Sequence, residues 1–191
     1  MSVDAAHATG MIHFDELLRT APDVAEPILL RLRETGIGLL GTLRADGSPR
    51  VSPIEVAVVD DRLWLGMMPG SRKQVDVLRD PRVALLTPVR DREDVGGEGK
   101  LFGRLEPVTD RALADRLLAS AAEAAGFDPD AVAGSPMFEL VVDAAAWQHV
   151  AGDEWRTLSW REGNRLRRRR RVGATGASED VDEFGPVGAP A

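Results

Sequence analysis

Cysteine and tyrosine are both absent from this 191-residue sequence, and the first absence removes whole classes of chemistry. Without a thiol there is no disulfide, no thiolate nucleophile and no cysteine-held zinc or iron–sulfur cluster, which suits a reducing compartment. Aromatic residues are scarce, with four Trp and five Phe, so a stacking platform for single-stranded nucleic acid lacks support. Acidic residues outnumber basic ones by 31 to 24, a net charge of −7, and that balance disfavours a duplex backbone. No nucleic-acid partner is expected. No apolar run approaches the ~20 residues of a membrane helix. Residues 1–10 also lack the charged start and apolar centre of a signal peptide. The reading is a soluble cytoplasmic protein without a membrane partner.

What is present fits one globular core with appendages, since 43% of the residues are hydrophobic. Residues 1–36 read as a helical preface: 13–19 and 27–35 have helical spacing, Pro27 suits a first turn, and Gly36 is a terminator. From Ile37 the spacing becomes that of strands. The turn cluster Arg44-Ala45-Asp46-Gly47-Ser48-Pro49 separates 38–43 from 50–59, and Asp60-Asp61 leads on to 63–68. A short helix ends at Asp80-Pro81, and a strand over 82–87 follows.

Residues 88–99 are charged and glycine-rich, the composition of a loop that moves. Beyond them come a strand over 100–108 and a helix capped by Thr109-Asp110 and closed by Gly126. Strands over 137–150 and 154–160 complete the pattern. Six or seven mostly antiparallel strands with helices at intervals predict a small β-barrel over residues 37–162, not a doubly wound sheet. Residues 163–191 combine a basic run, Arg165 and Arg167 to Arg171, with a Gly/Ala/Pro/Ser-rich acidic end. Such sequence buries little apolar surface and is expected to stay disordered.

Several motifs dissolve on inspection. Gly36-Ile37-Gly38-Leu39-Leu40-Gly41 matches the dinucleotide pattern G-x-G-x-x-G, but a helix precedes it and a hairpin follows, the reverse of what pyrophosphate binding needs. His7, His13 and His149 are scattered without metal-ligand spacing. Ser135-Pro136 lacks the flanking glycines that expose a catalytic serine. One motif persists: Gly70-Ser71-Arg72-Lys73 lies between a strand and a helix, where freed N–H groups and two cations can meet a phosphate. By itself it is equally an ordinary capped helix with two solvated cations.

Taken together, Gly41-Thr42-Leu43-Arg44-Ala45-Asp46-Gly47-Ser48-Pro49-Arg50-Val51-Ser52-Pro53, Leu63-Trp64-Leu65, Gly70-Ser71-Arg72-Lys73, Asp80-Pro81-Arg82-Val83 and Gly103-Arg104-Leu105-Glu106-Pro107-Val108 resemble the pyridoxamine 5′-phosphate oxidase-like family. The resemblance spans roughly residues 38–160 by block order. It implies a Greek-key-like, antiparallel split β-barrel that works as a homodimer, binding flavin mononucleotide (FMN) at the subunit interface and a small-molecule substrate. It favours the phosphate reading of Ser71, Arg72 and Lys73. The strand Val51, Ser52, Pro53, Ile54, Glu55 and Val56 would face the flavin ring, Gly66 and Met67 would end the strand beside the phosphate, and Lys100 or Glu98 would supply a polar side chain. The sequence departs from the true oxidase at Gly152-Asp153-Glu154-Trp155-Arg156-Thr157, which does not reproduce that enzyme's arginine–histidine substrate clamp. It also carries Pro53 and Glu55 on the ring strand, where a carboxylate disfavours an anionic reduced ring. The expected function is a flavin-dependent oxidoreductase of open substrate. Its alternatives are a reductase using the deazaflavin coenzyme, or a non-enzymatic flavin or haem binder acting through His149.

Overall fold

The computed structural model describes residues 10–89, 96–126 and 128–184. Strand β1 (Ile12–His13) runs into helices α1 (Phe14–Thr20) and α2 (Pro22–Thr35). Then come β2 (Ile37–Leu43), β3 (Pro49–Glu55), β4 (Ala57–Val59), β5 (Arg62–Gly66), α3 (Arg72–Arg79) and β6 (Arg82–Leu86). The chain continues through β7 (Glu98–Pro107), α4 (Arg111–Ala125), α5 (Pro129–Val132), β8 (Met137–Ala151), β9 (Glu154–Arg161), β10 (Arg167–Val172) and β11 (Glu179–Val181). All strand pairs are antiparallel.

Local chemistry explains the turns. Between β2 and β3, Asp46 accepts hydrogen bonds from the Ser48 N–H at 2.9 Å and its hydroxyl at 2.7 Å, while Gly47 takes φ 81°. Between β4 and β5, Asp60 and Asp61 both adopt positive φ, the geometry that a two-residue hairpin turn requires.

The strands curl into an incompletely closed barrel. The ladder runs β3-β2-β6-β7-β8, and the long β8 offers its other edge in turn to β5, β1 and β9. Strand β5 pairs with β4, so the ring returns to β3 only through the chain itself, at Val56. The expected continuous strand over 50–59 therefore breaks there, because the Val56 N–H leaves the ladder to donate to Gly36 O at 3.0 Å.

The apolar faces of α1 and α2 plug the barrel. Phe14, Leu17, Ile28 and Leu32 pack with Leu40, Leu65, Leu85, Leu101 and Leu140. A second cluster, Trp64, Leu117, Leu118 and Met137, lies under α4. Helix α4 has the expected ends, with Asp110 accepting from the Leu113 N–H at 3.1 Å and Gly126 in the left-handed region.

Two expectations are corrected. Pro22, not Pro27, occupies the first turn of α2, and Pro27 lies inside the helix. The lost backbone hydrogen bond is offset by burial of Val24, Ala25, Ile28, Leu29 and Leu32 on one face. The stretch read as a disordered tail contains β10 and β11. Four of its arginines are matched: Arg167 with Asp180 at 2.7 Å, Arg170 with Glu179 at 2.6 Å, Arg168 with Asp23, and Arg171 over the Trp155 ring. Ladder hydrogen bonds and charge complementarity supply what apolar burial does not. Residues 185–191 of that tail, residues 90–95 of the predicted mobile loop, and His7 lie outside the described residues.

Candidate functional site

The site begins with a buried carboxylate. Asp76, on the inner face of α3, accepts from Thr42 Oγ1 on β2 at 3.0 Å and from Arg50 Nε on β3 at 2.6 Å, with Arg79 at 3.6 Å. Burial works against its charge. The hydrogen bonds from Arg50 and Thr42 and the arginine charges prevail, holding the carboxyl below its ordinary 3.8. Arg79 also donates to Leu43 O. These bonds fix α3 against the β2–β3 hairpin and so determine where its N-terminus sits.

That N-terminus is approached through Gly70 at φ 71°, whose N–H donates to Gln74 Oε1 at 2.5 Å. Ser71 occupies the cap position, yet its side chain makes no capping bond, and its buried Oγ has no hydrogen-bond partner among the described residues. No acidic residue stands in the first turn. Arg72 is exposed and has no ion-pair partner among the described residues. Lys73 folds back so that Nζ donates to Pro53 O at 2.9 Å on the free edge of β3. Burial pushes its ammonium below the ordinary 10.5, against the pull of Glu55. An orphaned hydroxyl, two cations and a helix N-terminus make a setting in which an anion gains and an apolar group does not.

Strand β3 divides its residues between two faces. Val51, Pro53 and Glu55 are exposed and Ser52 is half-buried, while the side chains of Ile54 and of Val56, just past the strand, belong to the core, leaving only their backbone to a ligand. Pro53 is tolerated because β3 is an edge strand. Gly66 and Met67 line a cavity of about 110 Å³ together with Glu55 and Met68. A cleft of about 530 Å³ adjoins it, sharing Glu55, Ala57 and Ala121 and extending along the end of α2.

Lys100 is not brought to this group within one chain. Pro53, Leu39, Leu86 and Lys100 follow one another across four neighbouring strands, a span of about 14 Å at the usual strand spacing, and Lys100 pairs with Glu98 at 2.5 Å. The residues that the motif reading overlooked are Thr42, Arg50 and Asp76. The available signal was an acidic residue on the apolar face of a short helix beside Val77.

His13 Nδ1 lies 2.8 Å from Glu139, and Arg62 Nε lies 2.6 Å from the same carboxylate, tying β1 and β5 to β8. Burial raises Glu139 above its ordinary 4.5 in spite of both neighbours. His149 has a buried Nδ1 without a hydrogen-bond partner among the described residues, and burial together with the Arg156 charge pushes it below 6.5. Phe184 packs edge-on against its ring at 6.4 Å, and Arg156 is held by Glu154 at 2.8 Å. Among the described residues no cluster of three or more His, Cys, Asp or Glu could hold a metal, and no helix is long and apolar enough to cross a membrane.

The family model described as pyridoxamine 5′-phosphate oxidase matches residues 26–151. A conserved hypothetical protein of Mycobacterium tuberculosis superposes with a TM-score of 0.56 and 24% identity, covering 71% of this chain and 83% of that one. A Clostridium acetobutylicum protein related to general stress protein 26, of the pyridoxinephosphate oxidase family, gives 0.57 and 14%, covering 78% and 96%. A haem storage protein of Vibrio cholerae gives 0.52 and 18%, covering 61% and 89%. Comparison with curated protein sequences returned no match.

Proposed function

The chain belongs to the pyridoxamine 5′-phosphate oxidase family, and from that premise we propose that it binds FMN and acts as a flavin-dependent oxidoreductase on a small molecule. The observation that carries the proposal is the buried Ser71 Oγ without a partner, set between Arg72 and a desolvated Lys73. Those three residues would hold the phosphate, and the exposed edge of β3 from Val51 to Val56 would line the ring. Bound there, the flavin supplies hydride transfer. The chain's own part is to neutralise the phosphate, orient the ring and admit a substrate. The cleft of about 530 Å³ beside Glu55 offers room for one.

The reading includes a homodimer. Ile37, Leu39 and Val51 are 45%, 38% and 68% exposed. The register sets them with Leu86 on one outward face of β2, β3 and β6, apolar surface that a second copy would cover.

The test is a titration of apo protein with FMN and with riboflavin, which has the ring but no phosphate. FMN is expected to bind at least tenfold more tightly, and replacing Ser71 with Ala should narrow the gap. Equal affinities would remove the phosphate site and the reading with it. Activity is then sought as reduction of the bound flavin by nicotinamide donors.

A second reading exchanges FMN for the deazaflavin coenzyme, and Glu55 favours it: a carboxylate exposed on the ring strand raises the energy of an anionic reduced flavin. Parallel titration of the two cofactors separates them. Haem ligation by His149 is the weaker alternative, because Phe184 covers that ring. The absorption spectrum of freshly purified protein distinguishes haem from flavin.

A further inference from the structure

A cavity of about 1170 Å³ forms a groove between the outer face of β7, β8 and β9 and the β10–β11 hairpin. Every arginine lining it follows residue 151, where the family match ends, while Phe102, Ala144, Ala145 and Ala146 lie within that match.

The sheet register gives the groove two unlike walls. Phe102, Ala144 and Arg161 are successive partners across β7, β8 and β9, so their side chains stand in one row on one face. Ala146, Ser159 and Arg167 form the next row. The small alanines leave a furrow, with Phe102, 41% exposed, on one side and cations on the other.

Charge is not balanced inside it. Four arginines, at 161, 165, 167 and 168, line the groove against Asp180 and Asp182. Arg167 is clamped by both oxygens of Asp180 at 2.9 and 2.7 Å, and Arg168 is paired with Asp23. Arg161 and Arg165 have no carboxylate partner among the described residues. They flank a tight turn closed by the Asn164 N–H donating to Arg161 O at 2.9 Å. Two unpaired guanidinium groups facing an aromatic-walled furrow match a molecule with one anionic end and one apolar end.

We propose that this groove binds a small amphipathic organic anion, a carboxylate or phosphate ester whose charged group is held by Arg161 and Arg165 while its apolar body rests on Phe102, Ala144 and Ala146. Its Phe102 wall continues, through Ala84 and Gly41, the row that ends at Val51 on the β3 edge three strands away, and no residue lining the groove belongs to the Ser71–Lys73 cluster.

Calorimetric titration of the full chain with 1-naphthoate, 1-naphthyl phosphate and the neutral 1-naphthamide tests it. At least one anion is expected to bind tenfold or more tightly than the amide, and comparison of the two anions identifies the preferred group. The double variant Arg161→Gln/Arg165→Gln should abolish that preference. Both side chains are exposed and unpaired, so folding is not at stake. Lys73→Ala should leave the preference intact. The proposal is overturned if neither anion outbinds the amide, if the double variant keeps the preference, or if Lys73→Ala removes it.

Discussion

Lys73 is held in a position that strains its charge: burial lowers its pKa from 10.5, and Glu55 only partly opposes the shift. A phosphate dianion arriving there would restore what desolvation removed, because an opposite charge favours the ammonium. The sign of the pH dependence follows. The protonated lysine binds, so FMN affinity should decline as pH rises through a range below that of an ordinary lysine. Lys73→Arg should flatten the decline, since a guanidinium keeps its proton there. Lys73→Ala should cost about 1.5–3 kcal/mol of binding, the worth of one charge-assisted contact. Fluorescence-quenching titrations across neutral to alkaline buffers check all three, and an identical pH profile in Lys73→Arg would acquit Lys73 of the role. The helix start at Ser71, Arg72 and Lys73 was legible in the sequence because the three residues are contiguous and their neighbours mark a strand end and a helix. Asp76 and Arg50 were not, since their bond joins residues 26 apart through a fold that only the structure displays.

Strands and helices were read most accurately where periodicity and turn chemistry agree. The β2–β3 hairpin, β5, β6, β7, α4, β8 and β9 all lie close to where spacing put them. Apart from the placing of Pro27, which is local to α2, the misreadings share a cause: each depends on a partner outside its own element. Val56 leaves the ladder for Gly36, and β10 forms because carboxylates on β11, β9 and α2 meet its arginines. Composition cannot show pairing of that kind. The bulge between Phe102 and Gly103 is a further case, where β7 shifts register against β8. A Cβ built on Gly103 would stand 1.9 Å from Val141 O, a backbone atom with little freedom to yield. Gly103→Ala should therefore destabilise the fold by about 3 kcal/mol, the upper range for overpacking. Urea unfolding followed by Trp fluorescence measures it. An unchanged midpoint would mean that the bulge relaxes without cost.

At the scale of the whole molecule, helices fill the barrel's interior while one outer face remains apolar. Strand β3 ends the ladder on that face, with its outer edge unpaired by any described strand apart from the Lys73 contact to Pro53. Such an edge invites association unless something covers it. The exposed Ile37, Leu39 and Val51 add a hydrophobic drive of ~25 cal/mol per Å² buried. A second copy seated there would cover both features and enclose the ring strand, coupling assembly to cofactor affinity. Sedimentation velocity is expected to report twice the chain mass. Leu39→Asp, which sets a charge in the centre of the face without touching Ser71, Arg72 or Lys73, should return the monomer and weaken FMN binding by tenfold or more. If the wild type is monomeric with a full complement of FMN, the shared-site arrangement is wrong. If Leu39→Asp separates the copies but leaves affinity unchanged, each chain holds its cofactor alone and the dimer serves only to shield the edge.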